Sequence, residues 1–265
     1  MVPIYLAWAC TVAISTVAAS YYIRTRGRQD VVVALYVFYL SVSQVLAAKI
    51  VDFSVGTFQV SAPAAVLIFP FTFQLTDTMN EHFGRRETHR MIMIAFVTQV
   101  LLVLFLWFGT TLPPETFWNS IDEPVGKQAY WEAFFASSIR ITVASFISFL
   151  VTENLDAVLF AEIRARTGAT KLWVRNVLSD VPTLALDSLL FVWLAFGGAL
   201  PNELVWSIVF GQLVTKWFFG LVDTPFVYLE RFIVTSDRLP FPKVALPVGR
   251  SESNEEDSKV AATTS

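Results

Sequence analysis

Gln74, Asp77 and Glu81 fall three and four residues apart inside an otherwise apolar stretch, with Asn80 beside them. On a helix that spacing makes one stripe. Three later apolar stretches repeat the theme. Glu153, Asn154 and Asp156 crowd one, Asp180, Thr183 and Asp187 align on the next, and Gln212, Lys216 and Asp223 align on the last. A carboxylate accepts a pair of donors bidentately, pairs with a cation, or carries a proton. On insertion scales an ionisable residue in lipid costs about 2.5–3.5 kcal/mol, so such residues turn toward a bundle interior, where they are paired or hydrated. One wet, polar and partly anionic cavity accounts for all four stripes. It suits a cationic or donor-rich solute, or protons. Asp187 and Lys216 lie nearest the middle of their stretches, where a structural ion pair competes with a ligand-binding role. Asp77, Glu81, Glu153 and Asp156 lie nearer the ends, within reach of headgroups or of Arg85, Arg86, Arg164 and Arg166.

Catalytic devices are not in view. The chain has no G-x-S-x-G, H-E-x-x-H or Walker A motif, and its single cysteine, Cys10, builds neither a disulfide framework nor a metal site. His82 and His89 fall in or beside a basic loop and are expected to be solvated. The expectation is a protein that is not an enzyme, with no cofactor, no metal and no nucleic-acid partner.

The elements that must carry these stripes are membrane spans. Of 265 residues, 55% are hydrophobic and 15% charged, against roughly a quarter charged in a soluble domain. Seven apolar blocks, at about 3–23, 31–49, 62–81, 91–111, 133–161, 177–197 and 204–233, are expected to form helices. None alternates with the period of a barrel strand. The fold class is thus all-α, a polytopic bundle of about seven spans, with a six-span core as the variant. Basic clusters at 24–28, 84–90 and 164–175 follow the first, third and fifth blocks, while 50–61 and 198–203 carry no Lys or Arg and 112–132 only Lys127. The positive-inside rule then places the N-terminus outside and the C-terminus in the cytoplasm. Residues 1–239 would form the transmembrane domain and 240–265, polar and rich in small residues, a disordered cytoplasmic tail. The long outer loop 112–132 carries Trp118, Tyr130 and Trp131 as interfacial anchors, or serves as a lid. Pro70, Pro182 and Pro225 would kink three helices beside the cavity. "LTDTMNE" (75–81) and "VTENLDA" (151–157) echo one another, as duplicated transporter units do.

The stretch "FPFTFQLTDTMNEHFGRRETHRMI" resembles the signature of the queuosine precursor transporter family, also called the vitamin uptake transporter family, through Thr76, Asp77, Asn80, Glu81, Gly84 and Arg90. "KLWVRNVLSDVPTLALDSLLFVWLAF" is similar to the family pattern through Arg175, Asn176, Ser179, Asp187 and Phe191, and "KWFFGLVDTPFVYL" through Lys216, Thr224, Pro225 and Tyr228. The likeness covers about 45–233. Asp180 and Pro182 depart from it, and the long outer loop and tail are additions.

The resemblance implies a small helical importer in the inner membrane, similar to the substrate-binding subunits of energy-coupling-factor importers, with no known dedicated ATPase. Its implied substrates are 7-cyano-7-deazaguanine and 7-aminomethyl-7-deazaguanine, from which tRNA queuosine is made. Another small heterocycle or vitamin, or a seven-helix sensor that transports nothing, are the alternatives. A guanine-like edge offers N1–H and an amine to a carboxylate, and an aminomethyl group would add a cation for a second. The substrate-binding or coupling candidates are therefore Asp77, Asn80, Glu81, Glu153, Asp156, Asn176, Asp187 and Lys216. Phe71, Phe73, Phe191 and Trp217 lie near the polar stripes, where they supply aromatic faces or, as is expected for most of them, pack the core.

Overall fold

The computed structural model describes residues 2–47, 49–55, 58–121, 126–135, 139–167, 172–198 and 200–246. Among them the chain forms helices α1 (Val2–Arg26) and α2 (Asp30–Ala47), then a hairpin of β1 (Ile50–Val55) and β2 (Phe58–Pro63). A 3-10 turn (Ala64–Leu67) leads into α3 (Phe69–Phe83) and α4 (Arg85–Thr111). Two short helices, α5 (Thr116–Ser120) and α6 (Lys127–Phe135), precede α7 (Ile139–Thr167), α8 (Leu172–Phe196) and α9 (Asn202–Thr235). Leu6–Arg26, Asp30–Ala47, Arg85–Thr111, Val143–Ile163 and Asn202–Thr235 are long and apolar enough to cross a membrane, and Val181–Phe196 is a shorter apolar segment. Large apolar side chains such as Ile14, Phe105 and Leu221 are two-thirds exposed on the outer surface, as lipid contact requires. The protein is an all-α, multi-pass membrane protein.

The block expected as a third span, 62–81, differs. Its first residues finish β2 and form the 3-10 turn, and the helix that follows is 15 residues long. At 1.5 Å per residue that is about 22 Å, short of the ~30 Å hydrocarbon core. Prolines explain the late start. Pro63 and Pro70 lack the N–H that a continuing helix needs, and Pro70 sits in the first turn of α3, where none is required. Pro70 therefore opens a helix and kinks nothing. Pro182 and Pro225 do lie inside α8 and α9. The antiparallel hairpin pairs Ile50 with Pro63 and Val55 with Phe58. It packs Phe53 edge-on against Phe219 of α9, whose ring also meets Trp8 of α1.

The expected loop 112–132 is partly helical. Glu115 caps α5, accepting from the backbone N–H groups of Phe117 and Trp118, and these donors hold its carboxyl below the ordinary range. The cap is therefore present above the usual carboxylate pKa and is lost as pH falls through the lowered value. Tyr130 and Trp131 are exposed on α6.

α3 turns into α4 through one residue. Gly84, at φ +84°, serves as the end of the first and the start of the second, a left-handed conformation that glycine adopts without strain. At the same end of the bundle, Arg24 is buried and seals the end of α9. Its guanidinium donates to the carbonyls of Ile233 (2.9 Å), Ser236 (2.7 Å), Leu239 (3.4 Å) and Phe241 (3.0 Å). The segment 236–246 folds back beside it, with the Val244 N–H on the Arg24 carbonyl and the Val244 side chain where a β-carbon at Gly27 would stand. The expected tail beyond it, 247–265, lies outside the described residues.

Arg24→Ala strands these carbonyls. It is expected to lower stability in detergent by about 2–4 kcal/mol, read from thermal unfolding. Arg24→Lys should recover only part, because an ammonium cannot fork among four acceptors.

Candidate functional site

A recess lies toward the end of the bundle away from the basic loops. Its walls come from five places in the chain. α2 gives Leu40, Ser43, Gln44 and Ala47, the hairpin end and 3-10 turn give Pro63, Ala65 and Val66, α7 gives Ser145 and Phe149, α8 gives Asp187 and Phe191, and α9 gives Gln212 and Lys216. Asp187 and Phe191 are one turn apart, as are Gln212 and Lys216, so two helix faces present matched pairs to one space. The hairpin closes one side with small apolar residues, a role that a straight third span could not supply.

Asp187 and Lys216 are both buried and joined as an ion pair. Nζ meets Asp187 Oδ2, while the Ser148 hydroxyl donates to Oδ1 at 2.5 Å. Gln44 Nε2 donates to Ser145 Oγ at 3.2 Å. Gln212 is buried and its Oε1 has no hydrogen-bond partner among the described residues. Phe149 and Phe191 supply aromatic surface. The arrangement sets amide and hydroxyl groups beside aromatic surface.

The other expected residues lie outside this lining. Glu153 is fully buried on α7, and its Oε2 accepts from the hydroxyls of Tyr36 (2.5 Å) and Thr76 (2.9 Å). Asp156 Oδ1 faces Thr183 Oγ1 at 3.4 Å. Asn80 is buried and donates to the Ala157 carbonyl at 2.8 Å. Asp77 is buried on α3 and Glu81 is partly exposed. The side chains of Asn176 and Asp180 lie outside the described residues. The structure thus brings Asp187 and Lys216 together in the cavity and gathers Asn80, Glu153 and Asp156 into a second polar tier between α3, α7 and α8. Of the expected aromatics, Phe191 lines the cavity, Phe71 packs edge-on to Tyr39, and Trp217 is exposed with its N–H toward the Val181 carbonyl.

The two histidines correct the sequence reading. His82 is in α3, not a loop, and is buried against Glu230 of α9 at 2.7 Å. His89, on α4, donates through Nδ1 to Asn154 Oδ1 (2.5 Å) and accepts from Arg85 Nε (3.2 Å). The basic cluster that marked 84–90 as a loop is instead the start of a helix, joined to α3 by the single residue Gly84. Arg166 pairs with Glu162 on its own helix. Sequence reasoning missed Gln44, Ser145 and Tyr36. Ser41, Ser43 and Gln44 do interrupt the apolar run of α2, and that interruption was the available signal; Tyr36 had none.

Removing one partner of a buried ion pair costs about 3–5 kcal/mol, whereas replacing both is often neutral. Lys216→Met alone and Asp187→Asn alone should each destabilise the detergent-solubilised protein, and the double variant should recover most of the loss. A double-mutant cycle on thermal unfolding measures this; additivity of the two losses would show that the pair contributes nothing.

A lipid-facing apolar exterior around a recess that holds a few buried polar groups is a build that membrane carriers for small solutes share. A family profile described as "Putative vitamin uptake transporter" matches residues 63–230, and the chain belongs to that family. It is 23% identical over 185 residues to the "Probable queuosine precursor transporter" of Bacillus subtilis (strain 168), covering 69% of this chain and 78% of that one. No solved structure matches.

Proposed function

We propose that this protein imports a queuosine precursor of the 7-deazaguanine class across the cell membrane. The observation that carries the reading is the cavity, which joins Asp187, Gln212 and Ser145 to the rings of Phe149 and Phe191. A guanine-like base presents N–H donors along one edge. Gln212 Oε1 is an open acceptor for such a donor, and a carboxylate with four lone-pair sites can still accept after Lys216 and Ser148 are satisfied. The Bacillus subtilis relative, a probable queuosine precursor transporter similar over most of both chains, supports the same class. With the basic loops in the cytoplasm, as the positive-inside rule has it, the cavity lies toward the outer face, where an importer meets its solute. In this reading Asp187 and Gln212 touch the base, Lys216 holds Asp187, and Asp77, Asn80, Glu81, Glu153 and Asp156 join the helices that move around it.

The test is salvage. In a strain unable to make the precursor, supplied with 7-deazaguanine bases, the wild-type protein should restore queuosine to tRNA. Gln212→Ala and Phe191→Ala, checked for normal membrane levels, should raise the base concentration needed by about tenfold each, the loss of one well-made polar or stacking contact. Failure of the wild type to salvage any such base removes the substrate class. Salvage by both variants at wild-type concentrations moves the site elsewhere.

A further inference from the structure

Glu153 is answered differently from Asp187 and Glu230. Those two meet a lysine and a histidine. Glu153 is fully buried on α7, and its hydrogen-bond partners among the described residues are two hydroxyls, Tyr36 of α2 at 2.5 Å and Thr76 of α3 at 2.9 Å, both on Oε2. A hydroxyl both donates and accepts. With the carboxyl charged, both hydroxyls donate to it. With Oε2 protonated, its O–H donates to Thr76 Oγ1, Tyr36 goes on donating, and the Thr76 hydroxyl turns to the Thr72 carbonyl at 3.1 Å. Glu153 can therefore gain and lose a proton with every one of these groups still bonded.

Its charge is also felt at the recess. Glu153 lies five residues along α7 from Ser148, about 7.5 Å, and interacts electrostatically with Asp187 of α8 and Lys216 of α9. The other titratable groups around it are Tyr36 of α2, Asp156 on its own helix and buried Asp77, next to Thr76 on α3, while α4 sets His89 against the neighbouring Asn154. Toward the basic end, α9 carries Lys216, Asp223 and Glu230 seven residues apart, all buried, and Glu230 meets His82 of α3 at 2.7 Å. Two turns separate each from the next, so they share a face. Runs of buried acids and histidines of this kind are the material of intramembrane proton relays.

We propose that import is driven by protons and that Glu153 is the carboxyl that carries one proton inward with each solute molecule. The proposal rests on the importer reading and adds its energy source. The proton leaves the outer water, forms the O–H of Glu153 while the solute occupies the recess, and is released to water on the cytoplasmic side. Tyr36 stays a phenol throughout. The link is electrostatic: a proton on Glu153 removes one of the charges that Asp187 and Lys216 feel. Solute binding beside that pair and proton binding at Glu153 then alter one another's affinity by the same factor.

Uptake of labelled 7-cyano-7-deazaguanine by the full-length protein in proteoliposomes tests this, with the membrane potential clamped at zero and protein-free vesicles as the blank. With the outside one pH unit more acid than the lumen, the base should accumulate toward about tenfold, the limit for one proton per solute. At equal pH it should only equilibrate, and its entry should turn a weakly buffered medium more alkaline. Equilibration that ignores the pH gradient overturns the proposal and leaves the importer reading standing. No uptake in either condition refutes the importer reading for this base and the proposal with it. Glu153→Gln keeps the size and still accepts from Tyr36 and Thr76. It should exchange labelled for unlabelled base yet lose accumulation on the gradient. Accumulation at the wild-type level in that variant removes Glu153 as the carrier. Should the variant fail to insert or to exchange, Tyr36→Phe decides. Losing one hydrogen bond to a charged group should displace the external pH of half-maximal uptake by about one to two units, and an unmoved midpoint removes Glu153 from the role.

Discussion

An ion inside a lipid-embedded bundle has no water to fall back on, so each must be answered by a neighbour at contact distance. The ion pair of Asp187 and Lys216 meets that demand across α8 and α9, and Ser148 extends it to α7. Three helices are thereby fixed in register at one level. The cavity exists because this pair holds its floor polar while the hairpin end closes a wall with Pro63, Ala65 and Val66. Apolar packing alone would not choose this register, since lipid tails are as apolar as leucine and give little net drive to helix association.

Below the cavity the demand is met differently. Glu153 is answered by two hydroxyls, Tyr36 on α2 and Thr76 on α3. Asn80 reaches a backbone carbonyl, and His82 reaches Glu230. The segments 75–81 and 151–157, which echo each other in sequence, are in contact here: Thr76 touches Glu153 and Asn80 touches Ala157. Thr76 and Thr152, equivalent in the echo, each lie against the carbonyl four residues earlier.

Much of this was legible in the sequence. Block length and charge marked the helices, and their polar spacing marked inward faces, because both follow from local rules of period and lipid solubility. The match of Asp187 with Lys216 was visible because each sits mid-span, where few other solutions exist. What could not be read was the third span's shortening and which stripe faces which space. Hydropathy sees residues 62–68 as membrane-like whether they are a strand end, a 3-10 turn or a helix. His82 looked like a loop residue because the next positive charges follow within three positions, and a one-residue Gly84 turn leaves no loop composition to notice. The stripe of Asp77 and Glu81 suggested a cavity at α3, yet the described lining comes from α2, α7, α8, α9 and the hairpin end. A stripe fixes a direction around one helix and says nothing of what stands opposite.

The segment 76–90, most distinctive in the sequence, therefore has a mechanical character in the structure. Through Thr76, Asn80 and His82 it ties α3 to α7 and α9, and through Glu87 and His89 it ties α4 to Gln29 and Asn154. Hydrogen bonds of this kind contribute about 1 kcal/mol each net, or about 1.5–3 where one partner is charged. The Asp187–Lys216 pair is different, because both partners are ionisable and both are buried. Parting α3 from α7 and α9 at the basic end breaks the hydrogen bonds of Thr76, Asn80 and His82 while the Arg24 clamp keeps α1 on the end of α9, whereas parting α8 from α9 at the cavity separates a buried ion pair.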